Sequence, residues 1–578
     1  MKKHFLSSLI GVLISSLAFG PLFAASEIRK LGEYDLSWGP YGATWTSSSG
    51  KSVRYIPRYF STDAFSDNLT LYGNDLITGG PWVDVRKYLP NVYVIDGSVN
   101  YSTYVQSAID NMANGSTLLV PIMVGLGTSG WSGITTNNQS KITILGINGG
   151  GFKVLALPSG ATPRLFNFIL GDFISIKGLR FDRNGFAARI IQFDGNSDVE
   201  VSGNYFFGGS TGTIQPVVHW GSDTSGVVGK RHKYMNNVFS MNFEGHNAFY
   251  IGSNKNTYVE DVVFSGNIIT NALWSAISVW GNGISITGNV VDNLTSGAAF
   301  LISQDTAPSP NTGRNVTVTG NIVRNANGGV HNDTLGDYLE NIIISNNSFF
   351  NITGTTQVIG ANNCHNCVVS GNSIKNGAAR GIFSGYKSRN VSITGNTIDN
   401  VATSGIGVDA QTYADNIIIS SNIISGATGG IVVISDNTIK NVTIANNVLT
   451  NLASGTDALS LQGVTGGTMT GVNINNNTVI GGRYGIYNDV VKVRELWGSN
   501  NRFSGQSISA NNGATFVEYD STTGKVFTRG TAAPTDNTVT WAVGDTAWNT
   551  ANDNVLGWKC TTAGSPGTWK SMSVTLAP

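Results

Sequence analysis

Between residues 200 and 505 apolar and polar positions alternate in a phrase that keeps returning. It reads NVTVTGNIVRN at 315–325, NIIISNNSFFN at 341–351, NVSITGNTIDN at 390–400 and NVTIANNVLTN at 441–451. The pattern is apolar-x-apolar, then Ser/Thr-Gly/Asn-Asn, then x-apolar. Alternation with period two predicts a strand with one buried face. Gly and Asn tolerate left-handed backbone, so they suit a corner between two strands. The last Asn of the phrase recurs from Asn204 to Asn501 at spacings of 22 to 33 residues. A constant corner with loops of variable length predicts a solenoid. Coils stacked about 4.8 Å apart would place these asparagines over one another. A side-chain amide both donates and accepts, so the stack can bond along its length. The prediction is an all-β parallel β-helix with an Asn ladder.

A further strand follows each corner, as in AISVWG (276–281), GIFSG (381–385) and GIGVDA (405–410), giving about three short strands per coil. Taking Val218, Phe249, Ile277, Phe300, Val330, Val358, Ile382, Ile406, Ile431, Leu459 and Ile486 as inward residues predicts which side chains face out. The outward rows then include His219, Tyr250, Trp280, His331, Asp333, Phe383, Asp409 and Tyr487. Aromatic faces bury sugar C–H surface and polar groups fix hydroxyls, so His219, Tyr250, Trp280, Phe383, Asp409 and Tyr487 are candidate glycan-binding residues.

Two clusters could carry chemistry. His331 and Asp333 share one face of a strand, and Asp305 ends the neighbouring one; two carboxylates about 5–10 Å apart suit the acid and base or nucleophile of glycoside hydrolysis. Arg231 and His232, with Tyr250, offer the base and cation that a lyase needs to take a proton beside a uronate carboxylate. No metal-ligand spacing is present, and whether Ca²⁺ is used is not legible.

Composition narrows the partners. Of 578 residues 12% are charged and the formal net charge is zero, so there is no electrostatic footprint for nucleic acid. The start, MKKHFLSSLIGVLISSLAFGPLFAA, has the basic, apolar and small-residue parts of a secretory leader over 1–25, and no later segment is apolar for long enough to span a membrane. Secretion, or a periplasmic or cell-surface location, is the expectation. Cys364 and Cys367 form CHNC and are expected to be a structural pair, with Cys560 alone.

Residues 81–121, beginning PWVDVRKYLP, read as strand, Asp-Gly turn, the amphipathic helix STYVQSAIDNMAN (102–114) and a strand. This segment resembles the entry of the pectate-lyase-like superfamily of right-handed β-helices, in which such a helix caps the first coil, and SKITILGINGGGFKV (140–154) resembles its first coil. The resemblance covers about 81–505 and implies a right-handed parallel β-helix. The superfamily includes polysaccharide lyases, glycoside hydrolases, epimerases and tailspike depolymerases. Its hydrolase and pectate-lyase motifs are absent, although Arg231-His232 resembles an Arg-His element of alginate-lyase-like members. Residues 525–578, with Trp541, Trp548, Trp558 and Trp569, resemble the small β module that ends some tailspike-like and secreted carbohydrate-active proteins. Residues 26–80 are aromatic and non-repetitive. The resemblance implies a secreted polysaccharide-degrading enzyme, hydrolase or lyase, and by analogy with tailspikes a homotrimer. The competing expectation is a non-catalytic β-helix adhesin or glycan-binding surface protein.

Overall fold

The computed structural model describes three strands within 34–55, then residues 82–505 and 517–573 with short breaks. The leader expected over 1–25 lies outside the described residues, as do Asp305 and the side chain of Asp333. The chain divides into two compact units, 1–245 and 246–578.

In the first unit the α-helix runs Ser102–Asp110, shorter at its end than the sequence suggests. It buries Ser102, Val105, Ala108 and Ile109, one stripe at helical spacing. The side chain of Gln106 fastens it to the coil below, exchanging two hydrogen bonds with the backbone of Thr135 at 2.9 and 3.0 Å. The coils then stack in parallel register. Phe152, Phe181, Phe206 and Phe239 pair in succession and their rings form a column inside the helix, 6.0, 4.9 and 4.4 Å apart. Such offset stacking fills the interior with few voids.

In the second unit the core column is aliphatic. Ile286, Val318, Ile344, Val369, Ile393, Ile419, Ile444 and Ile474 stack one per coil in continuous parallel register. Beside it runs the Asn ladder, from Asn267 to Asn501. At one rung, Asn396 Oδ1 accepts the backbone and side-chain N–H groups of Asn372, at 3.0 and 2.9 Å. Its Nδ2 donates to the Val369 carbonyl at 2.9 Å and to Asn422 Oδ1 at 3.0 Å. The left-handed residue is not the ladder Asn but the one before it, such as Gly371 (φ 64°), Gly395 (φ 65°) and Asn446 (φ 57°). That division of labour explains the fixed Gly/Asn-Asn pair: the first residue turns the chain and the second points its amide inward. Replacing Asn396 by Ala orphans a buried N–H and a buried carbonyl, so a loss of about 3 kcal/mol is expected, measurable as a lowered urea midpoint.

Cys364 and Cys367 are joined by a disulfide and both are buried, whereas Cys560 is a buried free thiol. Near the chain's end, strands Thr546–Asn549, Val555–Thr562 and Thr568–Ser573 form antiparallel pairs, a change from the parallel coils. Among the described residues no helix is long and apolar enough to cross a membrane.

Candidate functional site

In the second unit one outer face carries a groove of about 370 Å³. Its floor is explained by the corner sequences Arg380-Gly-Ile-Phe383, Ser404-Gly-Ile-Gly407 and Gly429-Gly-Ile-Val432. The second residue of each must be Gly. A Cβ on Gly381 would point at the core residue Ile398 and stand 2.5 Å from the carbonyl oxygen of Gly405. With that Gly and the following Ile both turned inward, the first and fourth residues both lie on the outer face. Small residues at Ser404, Gly407 and Gly429 therefore leave a depression, bounded by Arg380 and Phe383 at one end and by Asp457 and Ser460 at the other. The coil spacing makes this span about 14 Å.

The polar groups of the groove differ in their commitments. Asp457 is held by a bidentate ion pair from Arg483, at 2.9 and 2.8 Å, and the Arg483 guanidinium lies 4.9 Å from the Tyr484 ring and 5.8 Å from that of Tyr487. Arg380 forms no ion pair among the described residues, and its guanidinium stacks 4.5 Å above the ring of Phe383. Asp409 stands at the groove's edge, paired in register with Gly385 on one side and Ile434 on the other. Its Oδ1 is buried without a hydrogen-bond partner. Burial, and then the negative charge of Asp436, push the Asp409 carboxyl above its ordinary value, against the opposing pull of Arg380 and a hydrogen bond from Gln411. A carboxyl in such a setting can stay protonated long enough to act as an acid.

The structure brings some predicted residues together and disperses others. Phe383 lines the groove, although it is only 6% exposed, and Asp409 and Tyr487 flank it. Tyr250 and Trp280 are half-buried on the same unit, with rings 4.9 Å apart. His331 keeps its predicted row, paired with Leu301, and its Nε2 bonds the Gln357 carbonyl at 2.7 Å. Burial lowers its pKa while that bond raises it. Its expected partners Asp305 and Asp333 have no described side chains.

His219 and His232 depart from expectation. His219 is completely buried, because Val217 and His219, not Val218, carry the inward parity; His219 pairs with Phe193 and stacks on its ring at 5.5 Å. His232 is also completely buried, its ring 3.8 Å from that of His219 and its Nε2 3.0 Å from the Asn196 carbonyl oxygen. Tyr234 Oη lies 3.3 Å from His219 Nδ1. Burial drives the pKa of His219 far down and that of His232 to about 3, so both are neutral core residues. Arg231 points out, tied to Asp198 by two bonds of 2.7 Å, and that hydrogen-bonded guanidinium holds the Asp198 carboxyl below its usual range. Arg231 and His232 thus face opposite sides of one strand and cannot act together as a lyase pair.

Arg380 and Asp457 are groove residues the outward rows did not include, and Arg483 holds Asp457 in place. The signal was present: a charged residue just before a pair of inward residues, Gly381-Ile382 after Arg380 and Ala458-Leu459 after Asp457. Among the described residues no cluster of three His, Cys, Asp or Glu could hold a metal ion.

Residues 309–462 match the family model described as right handed beta helix region. No curated protein matches the chain. Similar solved structures include a mutant tailspike protein of E. coli bacteriophage HK620 in complex with pentasaccharide, at 13% identity, covering 85% of this chain and 92% of that one with a TM-score of 0.45. A mannuronic acid specific polysaccharide family 6 lyase from human gut microbiota is 13% identical, with coverage of 73% and 91% and a TM-score of 0.38. The Streptococcus pneumoniae surface protein and adhesin PfbA is 14% identical, with coverage of 66% and 99% and a TM-score of 0.34. At such identities the likeness is one of fold. Stacked parallel strands, the buried Asn ladder and the matched region together give this chain the right-handed parallel β-helix fold.

Proposed function

We propose that the protein is an exported polysaccharide-degrading enzyme, and that it is a glycoside hydrolase whose proton donor is Asp409. The observation that carries this reading is a carboxyl with one buried, unbonded oxygen that follows Val408 and pairs in register with Ile434, two residues lining a groove built from Arg380, Phe383 and small residues. Asp436 lies one coil on and two residues along from the position opposite Asp409. Strand spacing and rise put the two carboxyls on the order of 8 Å apart, within the range that leaves room for a water. Asp409 gives its proton to the leaving glycosidic oxygen as the bond to the anomeric carbon breaks. Asp436 takes a proton from the water that attacks that carbon, and solvent restores both groups. The Arg380 guanidinium, held over the nearly buried Phe383 ring, offers hydrogen-bond donors to sugar hydroxyls. Asp305, His331 and Asp333 remain the second candidate set that the sequence pattern offers. Export rests on the leader-like first residues.

The test is turnover on a panel of acidic and neutral polysaccharides, recording reducing ends together with the ultraviolet absorbance of unsaturated uronates. Reducing ends rising alone are the expected result. Rising absorbance would make the protein a lyase and remove Asp409 from this role. A second reading, a glycan-binding surface protein, is favoured by the ion pair that occupies Asp457, which leaves few free carboxylates in the groove. Binding without turnover across the panel would establish it.

A further inference from the structure

The antiparallel strands near the chain's end have two unlike faces. On one, Ala547 and Cys560 are buried, and Trp569 sets its ring edge-on to Trp541 at 4.9 Å. This is the module's own small core. Period two places Thr546, Trp548, Gly557, Lys559, Lys570 and Met572 on the other face.

That outer face is built against ordinary expectation. Trp548 is 42% exposed. The residue opposite it is Gly557, and a Cβ there would lie 3.2 Å from the Trp548 Cα and from the Met572 methyl. The glycine is buried, and the Met572 methyl lies over it beside the exposed indole. One pair further along, Lys559 and Lys570 stand directly opposite each other, and both are exposed. Like charges in that arrangement destabilise a sheet. Neither lysine has an ion pair among the described residues, and the three strands contain no Asp or Glu. On the adjoining strand Lys525–Gly530, Arg529 takes the register position opposite Trp548.

We propose that this face binds a saccharide carrying carboxylates, a uronate residue stacking on Trp548 while Lys559 and Lys570 take the acid group. An exposed indole suits a sugar ring, and a lysine pair with no ion pair among the described residues suits one nearby anion. A chain of zero formal net charge lacks the broad positive field by which nucleic acid or anionic lipid is held. The face is a site separate from the groove, and it does not depend on hydrolysis.

The experiment is calorimetric titration of the full-length Asp409→Asn variant, which spares the ligand, with hexameric oligogalacturonate and oligomannuronate, against neutral maltohexaose. Binding of at least one uronate oligomer, weakened about tenfold by Trp548→Ala and similarly by Lys559→Gln with Lys570→Gln, is expected. Arg380→Gln should leave this component unchanged. The lysine changes keep size and exposure, so they separate lost binding from lost folding. Uronate binding indifferent to all three substitutions would overturn the proposal. So would maltohexaose binding equally well, or retention of duplex DNA or anionic vesicles in place of the uronates. Binding with no Arg380-dependent component, but lost on changing Trp548 or the lysines, would count against the groove and support this face.

Discussion

Lowering the pH from 7 to 4.5 is expected to destabilise the coils that hold His219 and His232, by about 2.5 kcal/mol through His232, whose pKa is driven down to about 3, and further in the same direction through His219. Both imidazoles are fully buried, and burial is the main cause of their depressed pKa values. In the unfolded chain each titrates near 6.5. Below that pH the unfolded chain takes up two protons that the folded one refuses. Their contribution is therefore fully present above pH 6.5 and drains away as pH falls toward about 3, where His232 titrates in the folded protein. The slope is about 1.4 kcal/mol per pH unit for each histidine. The neighbours give little relief. Phe193 covers one ring, Tyr234 brings a neutral hydroxyl, and the nearby charges of Asp198 and Arg231 pull His232 in opposite directions. A second proton would also face the first across 3.8 Å of ring separation. Urea midpoints at pH 7.5, 6.5, 5.5 and 4.5 measure the effect, and His219→Gln with His232→Gln should flatten the curve above pH 5. A midpoint that stays level in the native chain, or falls equally in the double variant, would contradict the assignment.

The same two histidines show where the sequence is a poor guide. The ladder was legible because its signal is local: Gly or Asn turns the chain, the next Asn bonds up and down the stack, and both recur together. Asn204, Asn237, Asn289, Asn396 and Asn477 are all buried. Strand parity was not local. At Val217-Val218-His219 all three residues are fully buried, and so are Val358 and Ile359. Parallel strands covered on both faces lose the alternation that tells inside from outside. A slip of one residue then exchanges every side chain between faces, which is how His219 was assigned to a surface it does not reach. Ile359, not Val358, pairs with Val330 and with Ile382 for the same reason. The groove was half legible. Phe383 and Asp409 follow from a clean alternation after Ile382 and Ile406, but Arg380 and Asp457 lie before a corner where two successive residues turn inward. Only the crowding around Gly381 reveals that local break in the period.

Replacing Asp409 by Asn should lower kcat on the polysaccharide substrate by about 10²- to 10⁴-fold while leaving glycan binding in place, because the amide keeps the size of the side chain and removes only its proton. The pH profile gives a sharper test than the loss itself. A proton donor works in its acid form, so the rate should fall as pH rises through the Asp409 pKa, which burial and Asp436 hold above the ordinary carboxyl value. Arg380 lowers that pKa, so Arg380→Gln should move the alkaline limb to higher pH even if it also weakens binding. Asp436 raises it, so Asp436→Asn should move the limb the other way, besides removing the proposed base. A residue that merely shaped the groove would produce neither displacement. If Asp409→Asn turns over normally, or if the limb stays fixed in both neighbouring variants, the acid lies elsewhere on the outer rows, and Asp305 and Asp333 become the carboxyls to replace next.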